Sequence, residues 1–175
     1  MSHIIGVGDI KVSSNQADVL ITYALGSCLG IVAYDPVLRV GGLLHAMLPL
    51  SNADPAKAKV RPAMYVDSGF SLLMREMFAK GAKKDNIVIS VAGGASMKQI
   101  SNDDYFKIGQ RNFTVLRKLL WKNGLMIHAQ DVGGGISRTM ALHLNNGLVT
   151  INKKPITNSG DGMQTASGAA LAANR

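Results

Sequence analysis

The chain has 175 residues, of which 47% are hydrophobic and 17% are charged, so it can bury enough apolar surface for one folded domain and wholesale disorder is excluded. Nineteen basic residues against eleven acidic ones give a net charge of +8, which favours acidic partners through a salt-screened field. The single cysteine excludes an intramolecular disulfide and a multi-thiolate zinc site, and we expect neither a metal nor a cofactor.

Two further function classes are disfavoured by how the residues are distributed. The basic residues are scattered in runs no longer than two and aromatic residues make up only 5%, whereas nucleic-acid binders concentrate charge and stacking side chains in one element. The most apolar window, residues 19–33, is shorter than the roughly 20 residues needed to span a bilayer, and the start of the chain does not resemble a secretory signal. We therefore expect a soluble, cytoplasmic protein without membrane insertion or nucleic acid.

The first third of the chain is predicted to be rich in β-structure. Runs of β-branched and apolar residues bounded by glycine, proline and polar turns are typical of strands. They cover residues 4–12, 19–24, 29–34 and 40–48. The polar segment 51–61 that follows is predicted to be an exposed loop.

Helical periodicity begins at Pro62. From there to Phe78 apolar residues recur at three- and four-residue steps, which predicts an amphipathic helix ended by Gly81. The elements that follow are predicted to be a strand at 86–92, a polar loop at 98–107, a helix from 110 or 112 to 122, a strand at 125–130, and a hairpin of 138–144 with 148–151.

This order lacks the strict alternation of strand and helix found in doubly wound sheets, so an α+β domain is predicted. We assign it to residues 1–157. Residues 158–175 hold small and polar residues with little periodicity, which predicts a flexible tail.

Cys28 is the first candidate for chemistry. It lies between Gly26 and Gly30, in the gap between two predicted strands, where a side chain can be presented at the rim of a sheet. A lone cysteine is more often a buried core residue, and that alternative stays open at this point. The Gly-Ser-Cys-Leu-Gly pattern centres on Cys28 rather than Ser27, but it is no nucleophile elbow because a strand follows it instead of a helix.

A thiol that attacks an amide needs a base and an acid, and one histidine can serve as both. Of the four histidines, His45 lies in the strand that follows the Cys28 segment, so the two can meet at one end of a sheet. His3 is terminal, whereas His128 and His143 alternate with apolar neighbours. Thr22, on the preceding strand, could orient the imidazole, although by itself it reads as a structural threonine.

Five short segments, in this order along the chain, resemble the CheD family of chemotaxis proteins and together cover about residues 4–152. They are Thr22 with Leu25-Gly26-Ser27-Cys28, Gly41-Gly42-Leu43-Leu44-His45-Ala46-Met47-Leu48-Pro49, Gly93-Gly94-Ala95-Ser96-Met97, Ile108-Gly109-Gln110-Arg111-Asn112 and Asp131-Val132-Gly133-Gly134. Each segment is weak alone, but the ordered set is specific. Leu44, where many members carry a polar residue, and the tail after Lys154 depart from the family pattern.

The resemblance implies a chemoreceptor glutamine deamidase that uses a cysteine, histidine and threonine site. Residue by residue, Cys28 matches the family's nucleophile, His45 its general base and acid, and Thr22 its third member. The implied fold is a mixed one with a β-sandwich-like sheet core flanked by two main helices, distantly similar to deamidating bacterial toxins. The implied partners are the cytoplasmic domain of a chemoreceptor and the CheC phosphatase.

Chemistry adds two expectations to that resemblance. Backbone N–H groups near Ser27 and Cys28 are expected to hold the oxyanion or position the substrate. An imidazolium form of His45 is expected to lower the pKa of the Cys28 thiol. The alternative function is a non-catalytic adaptor that binds CheC or chemoreceptors, which would have no need of a paired thiol and imidazole.

Overall fold

The computed structural model describes residues 1–96, 107–156 and 168–171. Within these residues the chain forms two five-stranded sheets. The first sheet contains, in spatial order, β1 (Ser2–Ile4), β3 (Val19–Leu25), β8 (Ile136–His143), β9 (Val149–Pro155) and β10 (Gly168–Leu171). The second contains β2 (Ile10–Ser13), β5 (Val40–Ala46), β4 (Leu29–Asp35), β6 (Val88–Gly93) and β7 (Ile127–Val132). The helices are α1 (Pro55–Val60), α2 (Val66–Ala79) and α3 (Ile108–Lys122), and short 3-10 turns lie at Ser51–Ala53, Pro62–Met64 and Lys84–Asn86.

The two sheets pack face to face, and α2 and α3 cover the outer face of the second sheet. One apolar cluster fills the space between the sheets, with Leu20 and Met140 from the first sheet against Val32 and Leu43 from the second. A second cluster, which includes the buried Leu116 of α3, lies between the second sheet and the helices. Every residue of β4 and β5 is therefore buried. The predicted β-sandwich-like core with two main helices is confirmed.

The strand pairings explain why the fold is mixed. Antiparallel pairs join β4 to both β5 and β6, whereas β6 and β7 run parallel because α3 carries the chain back across the sheet between them. In the first sheet β8 and β9 form the predicted hairpin around residues 145–147. Within the described residues, no helix has the length and apolar character needed to cross a membrane.

Residues 4–12, predicted as one strand, form parts of two strands that belong to different sheets. β1 pairs with β3 in the first sheet and β2 pairs with β5 in the second. Gly8, with φ of +73°, lies where the chain changes sheets, and a Cβ there would stand 2.8 Å from the Met64 side chain. The switch is therefore built on a backbone conformation that glycine adopts readily.

The segment 51–61, predicted as a loop, contains the short helix α1. The side chain of Asp54 caps it by accepting a hydrogen bond of 3.0 Å from the backbone N–H of Lys57, and Pro55 occupies the first turn. The helix has no buried residue, which is why no apolar periodicity announced it.

The tail contributes one strand that the sequence did not predict. β10 extends the first sheet by pairing antiparallel with β9, from Gly168 opposite Asn152 to Leu171 opposite Val149. The rest of the tail beyond residue 156 and the predicted polar loop, apart from residue 107, lie outside the described residues. The boundary at residue 157 stays a prediction.

Candidate active site

The candidate nucleophile lies at the end of the central strands of the second sheet. Cys28 immediately precedes β4, in which Leu29 is in register with Ala46 and Gly30 with His45. If this register is extended by one residue, Cys28 lies opposite Met47. His45 is then the diagonal neighbour of Cys28 on the same face of the sheet. Diagonal neighbours in an antiparallel pair lie about 7–8 Å apart, within reach of long and aromatic side chains. Cys28 is half-buried and packs against the cluster between the sheets.

Thr22 and His45 meet across the two sheets. Thr22 lies on β3 and His45 on β5, and the hydroxyl oxygen Oγ1 of Thr22 is 2.7 Å from Nδ1 of His45. The same hydroxyl lies 2.8 Å from the backbone carbonyl of Ile5, to which it donates. Both side chains are buried, with 0% of Thr22 and 2% of His45 exposed. The structure thus places Thr22 and His45, two of the three candidate catalytic residues, in direct contact, although they lie on strands of different sheets.

This arrangement fixes the tautomer of the imidazole. A hydroxyl has one proton to donate, and the Ile5 carbonyl can only accept it. Oγ1 must therefore accept from His45, which requires the proton of the neutral imidazole to be on Nδ1. Nε2 is left with a free lone pair, and it is buried without a hydrogen-bond partner in the described structure. A buried imidazole nitrogen with a free lone pair is suited to act as a general base.

Burial acts on both candidate groups in the direction that keeps them neutral. It raises the pKa of the Cys28 thiol, with a smaller opposing contribution from the residue's own backbone N–H. It lowers the pKa of His45, against a smaller upward contribution from the carboxylate of Asp9. The expectation that an imidazolium lowers the pKa of Cys28 is therefore wrong, because burial raises this pKa and His45 is not among the groups that shift it. Burial favours the thiol form of Cys28 and the neutral form of His45.

The turn that carries Cys28 has all three of its carbonyls held by hydrogen bonds. Ala95 donates its backbone N–H to the Gly26 carbonyl at 2.8 Å, and Gly94 donates likewise to the Cys28 carbonyl at 2.8 Å. The Ser27 carbonyl accepts from Nδ2 of Asn112 at 3.0 Å. In a planar trans peptide the N–H points away from the carbonyl, so the N–H groups of Ser27 and Cys28 point the opposite way.

Those two N–H groups are candidate oxyanion donors. Neither donates to a backbone carbonyl among the described residues, and the N–H of Cys28 lies close enough to its own sulfur to lower the pKa of the thiol. A donor beside the nucleophile is where the oxygen of an attacked carbonyl would arrive. The sequence-based expectation for Ser27 thus concerns its main chain rather than its hydroxyl.

Gly93 is required by the close approach of this turn to the end of β6. Its φ is +108°, and a Cβ built on it would stand 2.1 Å from the Cys28 carbonyl oxygen. Only glycine fits a position that combines this conformation with such a contact. Gly93 and Gly94 belong to one of the five segments that resemble the CheD family, but the sequence gave no sign that Gly93 packs against Cys28.

Asn112 is the site residue that sequence reasoning missed. It lies on α3 with 0% exposure and donates from Nδ2 to the carbonyls of both Ser27 and Met47, each at 3.0 Å. Its Oδ1 is buried without a partner in the described structure. The only signal in the sequence was its presence in the segment 108–112 that resembles the CheD family.

The other three histidines lie elsewhere. His3 is 3.2 Å from the carboxylate of Asp18, and Nδ1 of His128 accepts from the backbone N–H of Ile89. His143 is in register with Val19 on the first sheet. His45 is therefore the histidine that combines burial, a fixed tautomer and a position diagonal to Cys28.

An ionic network fastens the two sheets near the Gly93 end of β6. Arg138 is buried and donates to the Asp131 carboxylate at 2.7 Å and to the carbonyls of Gly93 and Gly133. Lys153 adds a second cation at 2.5 Å from Asp131. Burial would raise the pKa of Asp131, but the hydrogen bonds from Lys153 and Arg138 outweigh it and lower the pKa. Within residues 1–96, 107–156 and 168–171, no three His, Cys, Asp or Glu side chains cluster so as to hold a metal ion.

Comparison with known proteins shows that the chain belongs to the CheD family. A family model described as CheD chemotactic sensory transduction matches residues 47–153, more than half of the chain. A probable chemoreceptor glutamine deamidase CheD 1 of Syntrophus aciditrophicus is 43% identical over 148 residues, covering 85% of this chain and 91% of the relative. Two proteins named probable chemoreceptor glutamine deamidase CheD give similar matches. The one from Solibacter usitatus is 43% identical over 86% of this chain and 88% of its own, and the one from Pyrococcus abyssi is 42% identical over 85% and 90%. The family-model match begins after Thr22, Cys28 and His45, so it rests on other parts of the chain than the three candidate residues.

Proposed function

Because the chain belongs to the CheD family, we propose that it is a chemoreceptor glutamine deamidase, which hydrolyses selected glutamine side chains of receptor cytoplasmic domains to glutamate and ammonia. The relatives' names supply the substrate class. The observation that carries the chemistry is the Thr22–His45 hydrogen bond, which leaves Nε2 of His45 unprotonated on the face it shares with Cys28.

The first half of the proposed reaction forms a thioester. As the glutamine carboxamide enters, Nε2 of His45 takes the Cys28 thiol proton and the sulfur attacks the carbonyl carbon. The carbonyl oxygen gains negative charge, which the N–H groups of Ser27 and Cys28 stabilise. The imidazolium then gives its Nε2 proton to the amide nitrogen, the C–N bond breaks and ammonia leaves.

The second half hydrolyses the thioester with the same groups. Nε2 of His45, again neutral, takes a proton from a water molecule as its oxygen attacks the thioester carbonyl. The tetrahedral intermediate collapses with cleavage of the C–S bond, and the proton on Nε2 returns to the Cys28 sulfur. The products are glutamate and ammonia, and the enzyme regains its resting thiol and neutral imidazole.

Thr22 serves this cycle as an orienting group. Its oxygen accepts from Nδ1–H in both the neutral and the protonated imidazole, so the ring keeps its direction while Nε2 gains and loses a proton. A neutral hydroxyl stabilises the imidazolium less than a carboxylate would, which agrees with the lowered pKa of His45.

The partners of the enzyme form part of the same proposal. The net charge of +8 suits a substrate with an acidic surface, and the glutamate product adds negative charge to the receptor. The resemblance to CheD adds the CheC phosphatase as a second partner and a cytoplasmic location, where the receptor domain lies. We assign the catalytic function to a single domain of residues 1–157.

The test is mass spectrometry of a recombinant receptor cytoplasmic fragment after incubation with the enzyme. Wild-type protein is expected to increase the mass of specific glutamine peptides by the difference between an amide and an acid, and Cys28→Ala is expected to give no such peptides. Conversion by a correctly folded Cys28→Ala protein would overturn the covalent mechanism. Binding of the fragment by the wild type without any conversion would favour the adaptor function instead.

A further inference from the structure

Asn112 joins the two chain segments that carry the candidate catalytic residues. Its amide bonds the carbonyl of Ser27, the residue before Cys28, and the carbonyl of Met47, two residues beyond His45. We propose that Asn112 is a positioning residue, which fixes the Ser27–Cys28 peptide so that the N–H of Cys28 points into the oxyanion site. This proposal deepens the proposed function and rests on it.

The chemistry of the side chain explains why asparagine occupies this position. Both partners are carbonyl oxygens, which only accept, so the amide must present Nδ2 with its two protons to them. An aspartate of the same shape has no proton to donate when ionised, and an apolar residue would leave two partly buried carbonyls without this donor. Among the described residues, the two bonds donated by Nδ2 are therefore the hydrogen bonds that the Asn112 side chain makes.

The bond to Ser27 determines where the N–H of Cys28 points. The carbonyl of Ser27 and the N–H of Cys28 belong to one planar peptide group, so holding the oxygen on the α3 side turns the hydrogen to the opposite side. The hydrogen and the sulfur belong to the same residue, so this N–H lies near the nucleophile, and its effect on the thiol is to lower the pKa. A negatively charged oxygen on the carbon attacked by that sulfur would meet this N–H.

Asn112 is also the only side chain among the bonds that hold this turn in the described structure. The carbonyls of Gly26 and Cys28 accept from backbone N–H groups of residues 95 and 94, which a substitution leaves in place. The Ser27 carbonyl depends on Nδ2 of Asn112. Shortening Asn112 therefore frees one peptide group while its two neighbours stay fixed.

The experiment separates oxyanion stabilisation from thiol reactivity, using Cys28 as the single cysteine of the chain. Acylation is followed as the burst of p-nitrophenolate released when the Cys28 sulfur displaces it from p-nitrophenyl acetate, a step that passes through an oxyanion. Alkylation of the same sulfur by iodoacetamide displaces iodide and forms no oxyanion. The ratio of the two rates therefore reports the oxyanion site and needs no receptor.

In Asn112→Ala the acylation rate is expected to fall about 10- to 100-fold and the alkylation rate to change less than about threefold. The matched control is Asn123→Ala, because Nδ2 of Asn123 also donates to a carbonyl, that of Leu119, at the other end of α3. Its ratio is expected to equal that of the wild type. For receptor deamidation, kcat of Asn112→Ala is expected to fall by the same factor as acylation, with KM nearly unchanged.

The outcomes distinguish the two proposals. If Asn112→Ala slows acylation and alkylation equally, or slows neither, the positioning role is wrong. Asn112→Ser, which keeps one donor proton in a smaller side chain, is the second variant in case the alanine protein folds poorly, and an unchanged ratio in it also overturns the role. A wild-type protein that forms the acyl-enzyme but converts no receptor glutamine overturns the proposed function instead, while the ratio still decides the role of Asn112.

Discussion

Replacing Thr22 by valine removes one hydroxyl group and leaves a side chain of nearly the same volume. In the native structure that hydroxyl makes two buried hydrogen bonds, of 2.8 Å to the Ile5 carbonyl and 2.7 Å to Nδ1 of His45. Thr22→Val leaves both partner groups without a polar neighbour. Each buried group left unpaired costs about 1–3 kcal/mol, so for two such groups we expect the free energy of unfolding to fall by about 2–6 kcal/mol.

The effect on catalysis is expected to be separate from this loss of stability. Without an acceptor at Nδ1, the imidazole proton can move to Nε2, and a protonated Nε2 cannot take the proton of Cys28. The ring also loses the bond that sets its direction. Misplacement of a catalytic group by about 1 Å costs about 10²-fold in rate, so we expect kcat for receptor deamidation to fall about 100-fold in Thr22→Val.

The assay is ammonia release from the receptor fragment at a temperature where the variant is fully folded, with urea unfolding measured in parallel. Thr22→Ser is the matched control, since it keeps the hydroxyl and should retain most of kcat. If Thr22→Val loses the expected stability but keeps kcat within about threefold of the wild type, Thr22 supports the fold alone. If neither the free energy of unfolding nor kcat falls, the hydrogen bonds of the Thr22 hydroxyl to Ile5 and His45 contribute to neither stability nor catalysis.

Four further predictions follow from the site and its surroundings. Because burial raises the pKa of Cys28, its rate of alkylation by iodoacetamide should rise at a higher pH than in the urea-unfolded chain, whose thiol has a pKa of about 8.5. A rise at a lower pH than in the unfolded chain would instead support a thiolate–imidazolium pair. Gly93→Ala should lower the free energy of unfolding by at least about 2 kcal/mol and abolish deamidation, since the added Cβ would collide with the Cys28 carbonyl. Unchanged activity would refute the close packing of Gly93 against that carbonyl. Asp131→Asn should lower the free energy of unfolding by about 2 kcal/mol at neutral pH. Its lowered pKa makes this stabilisation present above the ordinary value of about 3.9 and lost as the pH falls through the folded-state pKa, so wild type and variant should converge in acid. Finally, KM for the receptor should rise between 0.1 M and 1 M salt, because the Debye length falls from about 10 Å to about 3 Å. The rate at which neutral iodoacetamide alkylates Cys28 should stay constant over the same range. A salt-independent KM would show that the positive charge serves solubility alone.

The strands around the site could be predicted from the sequence because their signals are local. The run from Val19 to Ala46 alternates apolar stretches with glycine and proline breaks, and the structure has strands at Val19–Leu25, Leu29–Asp35 and Val40–Ala46. The split of residues 4–12 between two sheets could not be predicted in this way. It depends on which distant strands accept the two halves, and hydrophobic pattern carries no such information.

The contacts within the site were beyond sequence reasoning for the same reason. Thr22 and His45 are 23 positions apart, and Asn112 is 85 positions from Ser27. Only the packing of two sheets and of α3 on one of them brings these groups together. The direction of the Cys28 pKa was wrongly predicted because the sequence shows which charged groups exist but not how completely each is withdrawn from water, and burial is the larger cause at both Cys28 and His45.

In the proposed mechanism, the neutral thiol and imidazole that burial favours determine which state the site stabilises. A preformed thiolate and imidazolium would carry their charges before substrate arrives, and the protein would stabilise the ground state. Here burial disfavours both charges, whereas the N–H groups of Ser27 and Cys28 point away from their hydrogen-bonded peptide carbonyls and have no backbone acceptors among the described residues. In the proposed reaction, negative charge passes to the carbonyl oxygen when the sulfur attacks, where those donors would meet it, and the proton passes to an Nε2 that the Thr22 hydrogen bond has already oriented. On this proposal the site is arranged for charge on the oxygen of the transition state rather than on the sulfur of the free enzyme, and interactions gained only in the transition state are the ones that raise kcat.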